Sequence, residues 1–129
     1  MRRGDIVTVA FPGDFGKPRP AVIVQSDYLN DTHATILLCP FTGELVDAPL
    51  IRIPVPPSNE NGLRSTSHIM VDKAAPVRRQ KIGARIGILD PETQVRLNRS
   101  LALVSGLVSK RNFVFGIAGS GIRLANYSG

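Results

Sequence analysis

Apolar and polar positions alternate in short runs through the first two thirds of the chain, and each run is closed by turn-forming residues. "DIVTVAF" (5–11) alternates at the two-residue period of a strand and stops at "PGDFGKP", where glycines and prolines enforce a loop. "PAVIVQS" (20–26) is β-branched and apolar, a buried strand. "HATILLCPF" (33–41) predicts a third strand closed by "TGE", "APLIRIPV" (48–55) a fourth closed by "PPSNENG", and "TSHIMVD" (66–72) a fifth. After a basic connection, "ARIGILD" (84–90) predicts a shorter sixth. Runs of this length, separated by turns and with few helical periods, predict a small barrel or curled antiparallel sheet.

The period changes at Asp90. Asp90 is placed to N-cap a helix, with Pro91 at its first position and Glu92 and Thr93 in the first turn. Leu97, Leu101, Val104 and Val108 then recur at helical spacing, so 91–107 is expected to be an amphipathic helix docked on the barrel. Beyond it no period holds. Residues 1–109 are therefore expected to form one domain, and 110–129 a tail whose "NFVFGIA" reads as a final strand, a partner-binding arm or an appendage without a role.

Composition sharpens this picture. The 129 residues suffice for one compact domain, and 43% hydrophobic with no Trp implies a mostly aliphatic core. The net charge of +6 is uneven: residues 1–60 carry five Lys/Arg against seven Asp/Glu, and residues 61–129 carry eleven against three. A basic half suits a polyanion, because cations near phosphates release counterions; it also suits simple solubility. Cys39 is the one cysteine, so no internal disulfide forms, and its apolar surroundings predict a buried, inert thiol. No run of about 18 apolar residues is present to span a membrane, and the N-terminal apolar patch is cut by Pro12 and Gly13, unlike a signal peptide. A cytoplasmic protein is expected.

Several chemistries find no support. His33 and His68 lack ligand-spaced companions, so no metal site is expected. "GDFGKP" is no phosphate-binding P-loop, and "STSH" is no nucleophile elbow. What remains is polar residues at strand ends. Arg19, bracketed by Pro18 and Pro20, opens the second strand; Thr42 closes the third; Ser65, Thr66, Ser67, His68 and Asp72 surround the fifth. Each has a bland reading as an edge or turn residue. An arginine with hydroxyls and no metal ligands suits cleavage of RNA by its own 2′-hydroxyl, where charge growing on phosphate oxygens must be stabilised.

The residues also carry a resemblance. "RGDIVTVAFPG", "GKPRPAVIVQSD", "CPFTGEL", "GLRSTSHIMVDKAAPV" and "IGARIGILDPETQVRLNRSLALVSGL", in that order over residues 3 to 108, resemble the conserved blocks of the MazF/PemK toxin family. The resemblance implies a mainly β fold, an SH3-like, partly open antiparallel barrel with a C-terminal helix, usually a homodimer. It implies a metal-independent endoribonuclease without cofactors that cuts single-stranded messenger RNA at short sequences, the toxin of a type II toxin–antitoxin pair. Arg19 then matches the family's catalytic arginine and Thr42 its catalytic threonine, while Asp72 matches an acidic position some members use. Arginine's high pKa makes it a poor proton reservoir, so its role is better read as electrostatic. His68 is a candidate base at a position where the family does not require histidine. Phe15, Gly16 and Lys17 in the 13–18 loop are expected to grip RNA, with Phe15 stacking on a base or folding back on the barrel. Arg64, Ser65, Ser67, Arg78 and Arg79 extend that surface, and an acidic, flexible antitoxin tail would occupy the same groove.

Two rivals share the barrel: a non-enzymatic toxin similar to CcdB that binds a topoisomerase, and a plain nucleic-acid-binding module. The arginine and threonine on neighbouring strands favour cleavage, since fold alone never establishes function.

Overall fold

The computed structural model describes residues 1–111; the expected strand at 112–118 lies outside them. Among the described residues seven strands form an antiparallel sheet: β1 (Asp5–Val9), β2 (Arg19–Ile23), β3 (Thr35–Thr42), β4 (Arg52–Val55), β5 (Ser67–Met70), β6 (Ala75–Arg78) and β7 (Ile82–Ile88). The helix α1 (Asp27–Asn30) follows β2, and α2 (Pro91–Val104) follows β7. The strand order is β4-β5-β3-β2-β1-β7, with β6 pairing to β3 beside β5. Register shifts between β1 and β7, at Ile6/Val7 and Val7/Val9, bend the sheet into the partly open barrel that the sequence predicts.

The near-continuous apolar runs of β2 and β3 have a physical cause: the sheet is covered on both faces. Ile6, Val22, Cys39, Phe41, Ile53, Val55, Ile69 and Leu97 belong to one buried cluster. Val7, Val9, Ala21, Ile23, Ile36 and Leu38 form a second on the opposite side. Alternate residues of each strand therefore both need to be apolar, and the period-two signal disappears.

Asp90 caps α2 as expected, its side chain accepting the Thr93 N–H at 3.0 Å. The helix ends at Val104, three residues earlier than the apolar spacing predicts. Gly106, at φ +81°, donates to the Leu103 carbonyl, and the Leu107 N–H donates to the Ala102 carbonyl, which together make a Schellman motif. Val104 is consequently exposed, while Val108 is folded back and buried after the turn.

Three further features differ from expectation. The basic connection contains β6, which pairs with residues 35–38 of β3. "SDYLN" forms the single turn of α1, capped by Ser26. Asp5, in the "RGDIV" block, is buried and structural: it accepts from the Arg2 amide at 2.9 Å and pairs with the Arg85 guanidinium on β7 at 3.1 Å.

The β4–β5 loop ties the two ends of the sheet together. Buried Asn61 accepts from the Ser58 and Leu63 amides and donates to the Pro56 carbonyl, and the Ile88 N–H of β7 donates to the Glu60 carbonyl at 2.9 Å. Gly62, at φ +70°, passes so close to Ile86 that a Cβ would strike the Ile86 backbone carbonyl. Gly62→Ala is thus expected to lower stability by about 2–4 kcal/mol, measured by urea denaturation, through a forced left-handed conformation and a backbone clash that nothing can relieve. A loss under about 0.5 kcal/mol, the scale of ordinary surface substitutions, would show the loop to be loosely held.

Candidate active site

Antiparallel register assembles the site. β2 and β3 pair through Ala21–Pro40, Val22–Cys39 and Ile23–Leu38. Continued by two residues, this register sets Arg19 opposite Thr42. On the other edge of β3, Thr42 pairs with His68 of β5, and His68 pairs with Pro54 of β4. Arg19, Thr42, His68 and Pro54 thus form one row across four strands, and cross-strand neighbours share a face. It is the face away from Phe41, Ile53, Val55 and Ile69, which point into the core.

Arg19 and Thr42 line a cleft of about 180 Å³ together with Pro20, Phe41, Gly43 and Ser67. The Thr42 Oγ1 accepts the Glu44 N–H at 3.1 Å, which fixes the hydroxyl and leaves its proton for another acceptor. The Ser67 hydroxyl donates to the Ser65 carbonyl at 3.1 Å. His68 is partly buried, and its Nδ1 is enclosed without a hydrogen-bond partner. A buried polar atom without a partner calls for an explanation, and His68 is not among the residues that line the cleft.

The loop between β1 and β2 holds Arg19 in place. One guanidinium nitrogen of Arg19 donates to Asp14 Oδ1 at 2.9 Å, while Asp14 Oδ2 is enclosed and unpartnered. Gly13 and Gly16 have positive φ, and Phe15 between them adopts φ +53°, rare for a bulky side chain. That turn directs Asp14 inward and leaves Phe15 98% exposed, so Phe15 is not folded back on the barrel. Gly16 and Lys17 are exposed beside it.

The other expected residues divide. Arg64 and Ser65 are exposed in the loop leading into β5. Asp72 lies in a 3-10 turn, Val71–Lys73, and is engaged: Arg52 donates to its two oxygens from Nε at 3.0 Å and from a terminal nitrogen at 3.3 Å. The hydrogen bonds from Arg52 hold the Asp72 carboxyl below its ordinary value of 3.8. Arg78 pairs with Thr35, seven residues along β3 from Thr42, or about 24 Å at strand rise. The Arg79 guanidinium is bound to the carbonyls of Asn30, the last residue of α1, and His33 beyond it, so it supports the fold and does not line the cleft. Burial pushes the Cys39 thiol up to about 12, as befits a core residue. Among the described residues, no group of three or more His, Cys, Asp or Glu side chains is placed to hold a metal ion.

Sequence reasoning missed Asp14 and Arg52. Asp14 had a signal, a carboxylate five residues before Arg19 across a glycine-rich turn. Arg52 had one also: in "IRIPV" it alternates with the residues that face the core.

Comparison with known proteins decides the family. Residues 2–105 match the family model described as PemK-like, MazF-like toxin of type II toxin–antitoxin system. The chain belongs to this family. A PemK/MazF relative from Mycolicibacterium smegmatis, named a probable endoribonuclease MazF, is 42% identical over 108 residues, covering 83% of this chain and 98% of its own. An endoribonuclease from a mycobacterial species, solved in complex with its cognate antitoxin, superposes with a TM-score of 0.71 at 21% identity, over 84% of this chain and 98% of that one. MazF of Deinococcus radiodurans in its MazE complex gives 0.67 at 17% identity, over 82% and 95%. At such identities these structures establish the PemK/MazF fold alone.

The Arg52–Asp72 pair makes acid stability testable. A carboxylate whose folded pKa is depressed contributes stability that is complete above the unfolded value and is lost as pH falls through the folded one. Asp72→Asn is expected to flatten the decline of Tm below about pH 4. An unchanged acid limb would mean that the pair contributes nothing to the folded state.

Proposed function

We propose that this PemK/MazF family member is an endoribonuclease that cuts single-stranded messenger RNA at short sequences without a metal ion. In this reading it acts as a homodimer in the cytoplasm, and a cognate antitoxin silences it by laying an acidic, flexible tail in the RNA groove. The observation that carries the reading is the meeting of Arg19 and Thr42 in one cleft. A fixed guanidinium and a hydroxyl with a free proton are donors to phosphate oxygens, and neither is a ligand set for a metal. The name of the Mycolicibacterium smegmatis relative and the antitoxin bound to the mycobacterial structure support the same reading. Among the described residues no helix is long and apolar enough to cross a membrane.

The chemistry follows from these roles. The 2′-oxygen attacks the adjacent phosphorus and loses its proton to His68, the imidazole in line with Thr42. A five-coordinate phosphorane forms, its oxygens held by the Arg19 guanidinium and the Thr42 hydroxyl. The bond to the 5′-oxygen breaks, that oxygen takes a proton from water, and a 2′,3′-cyclic phosphate remains. Donors set in advance at the site of developing charge need no reorganisation, and each is worth about 10²–10³ in rate. Phe15, exposed on its turn, supplies a face for a base, and Lys17 a charge for a neighbouring phosphate. Ser67 lines the cleft, and Arg64 and Ser65, exposed in the loop leading into β5, are offered to the same strand.

The test is incubation with a long single-stranded RNA in EDTA. Discrete cuts with cyclic or 3′-phosphate ends are expected, reduced about 10²–10³-fold by Arg19→Ala or Thr42→Ala and far less by Thr42→Ser, which keeps the hydroxyl. Intact RNA with folded protein, or cutting unaffected by Arg19→Ala, would overturn the assignment.

A further inference from the structure

The strand next to His68, β4, carries a second arginine two residues from the end of the row. Ile53 and Val55 of β4 point into the core and are buried at 0% and 1% exposure. Arg52 and Pro54 therefore project on the other face, where Pro54 lies opposite His68 and Arg52 opposite Met70. Arg52 is thus on the same face of the strands as Thr42 and His68. Three inter-strand spacings separate β4 from β2, about 14 Å across the sheet, a span that an extended RNA strand crosses in a few nucleotides.

The Arg52 side chain is 17% exposed and rigidly held. Its two bonds to Asp72 use Nε and one terminal nitrogen, so two of its five N–H donors are engaged and the opposite edge of the fork has three left. Arg19 is also met by a carboxylate, through a single bond from one terminal nitrogen to Asp14, whereas the paired bonds to Asp72 fix the plane of the Arg52 guanidinium. Held in advance, a guanidinium loses little rotamer freedom when it meets a planar oxyanion.

We propose that Arg52 binds a phosphodiester of the RNA strand beyond the cleaved linkage, and that Asp72 is a positioning residue for Arg52. The inference rests on the RNA-cleaving reading of the cleft and extends it to a second phosphate subsite. It also reassigns Asp72. A carboxylate with both oxygens engaged by a guanidinium is held ionised and directed at Arg52, which suits orientation and leaves proton transfer to His68.

Binding to an uncleavable 2′-O-methyl RNA strand, titrated between about 50 and 200 mM salt, tests the subsite apart from the chemistry. Each phosphate neutralised on a single strand contributes about 0.7 to the slope of log K against log salt. Arg52→Gln is expected to weaken binding about tenfold at low salt and to make that slope shallower by about 0.7. Arg52→Lys should retain the slope. The double variant Arg52→Gln/Asp72→Asn, which leaves no charge without its partner, should match Arg52→Gln in both respects while remaining folded. Weaker binding with an unchanged slope, or no change at all, would reduce Arg52 to a structural role and overturn the proposal. In cleavage assays Asp72→Asn should raise KM several-fold and leave kcat within about threefold; a fall in kcat of about 10² would make Asp72 part of the chemistry and overturn its positioning role. Wild-type protein that binds no RNA would sink both readings, whereas binding with the expected slope change but no cutting would remove the cleavage reading alone.

Discussion

The pairing of β3 with β2 on one edge and with β5 on the other governs the whole site. Arg19, Thr42 and His68 come from segments more than 20 residues apart, and only this register sets them in a row. A slip of one residue would turn Thr42 toward the core and Phe41 toward solvent. The register is locked because both faces of β3 are buried, with Cys39 and Phe41 in one cluster and Ile36 and Leu38 in the other. The aliphatic core and the candidate cleft are thus consequences of the same pairing. The Asn61 loop and the Asp5–Arg85 pair contribute by holding β7 to the rest of the barrel.

On that frame the electrostatics are arranged rather than merely positive. Arg19 and Arg52 are held by Asp14 and Asp72, so each cation reaches the surface already oriented. In Arg79 the same chemistry serves the fold, its guanidinium satisfying carbonyls at the end of α1 and beyond it, where a helix terminus leaves acceptors without partners. Three arginines therefore sit in three settings, fixed by what the neighbouring backbone and carboxylates offer.

Much of this was legible along the chain because it rests on local rules. Prolines on both sides of Arg19 mark a rigid strand entry, "TGE" closes the strand that ends at Thr42, and Asp90-Pro91 announces a helix. Features that depend on pairing were not legible. β6 is four residues with one proline and shows strand character only against residues 35–38 of β3. Arg78 and Arg79 read as a phosphate grip until that pairing places one far along β3 and the other on carbonyls. The grip of Asp14 on Arg19 requires Phe15 in a left-handed conformation, which its residue type disfavours. The end of α2 was misplaced because Leu107 and Val108 continue the apolar spacing past Gly106, whose Schellman turn stops the helix.

The central claim is that the cleft holds a phosphodiester for attack by its own 2′-oxygen. Its most direct test is an RNA strand with a single 2′-deoxy sugar on the 5′ side of a mapped cut, compared with the unmodified strand. Cutting should vanish at that linkage, persist at other sites on the same strand, and leave affinity within about threefold, since the phosphate contacts are unchanged. Continued cutting at the deoxy linkage would mean that water or a protein group is the nucleophile, and the roles given to Arg19, Thr42 and His68 would not stand.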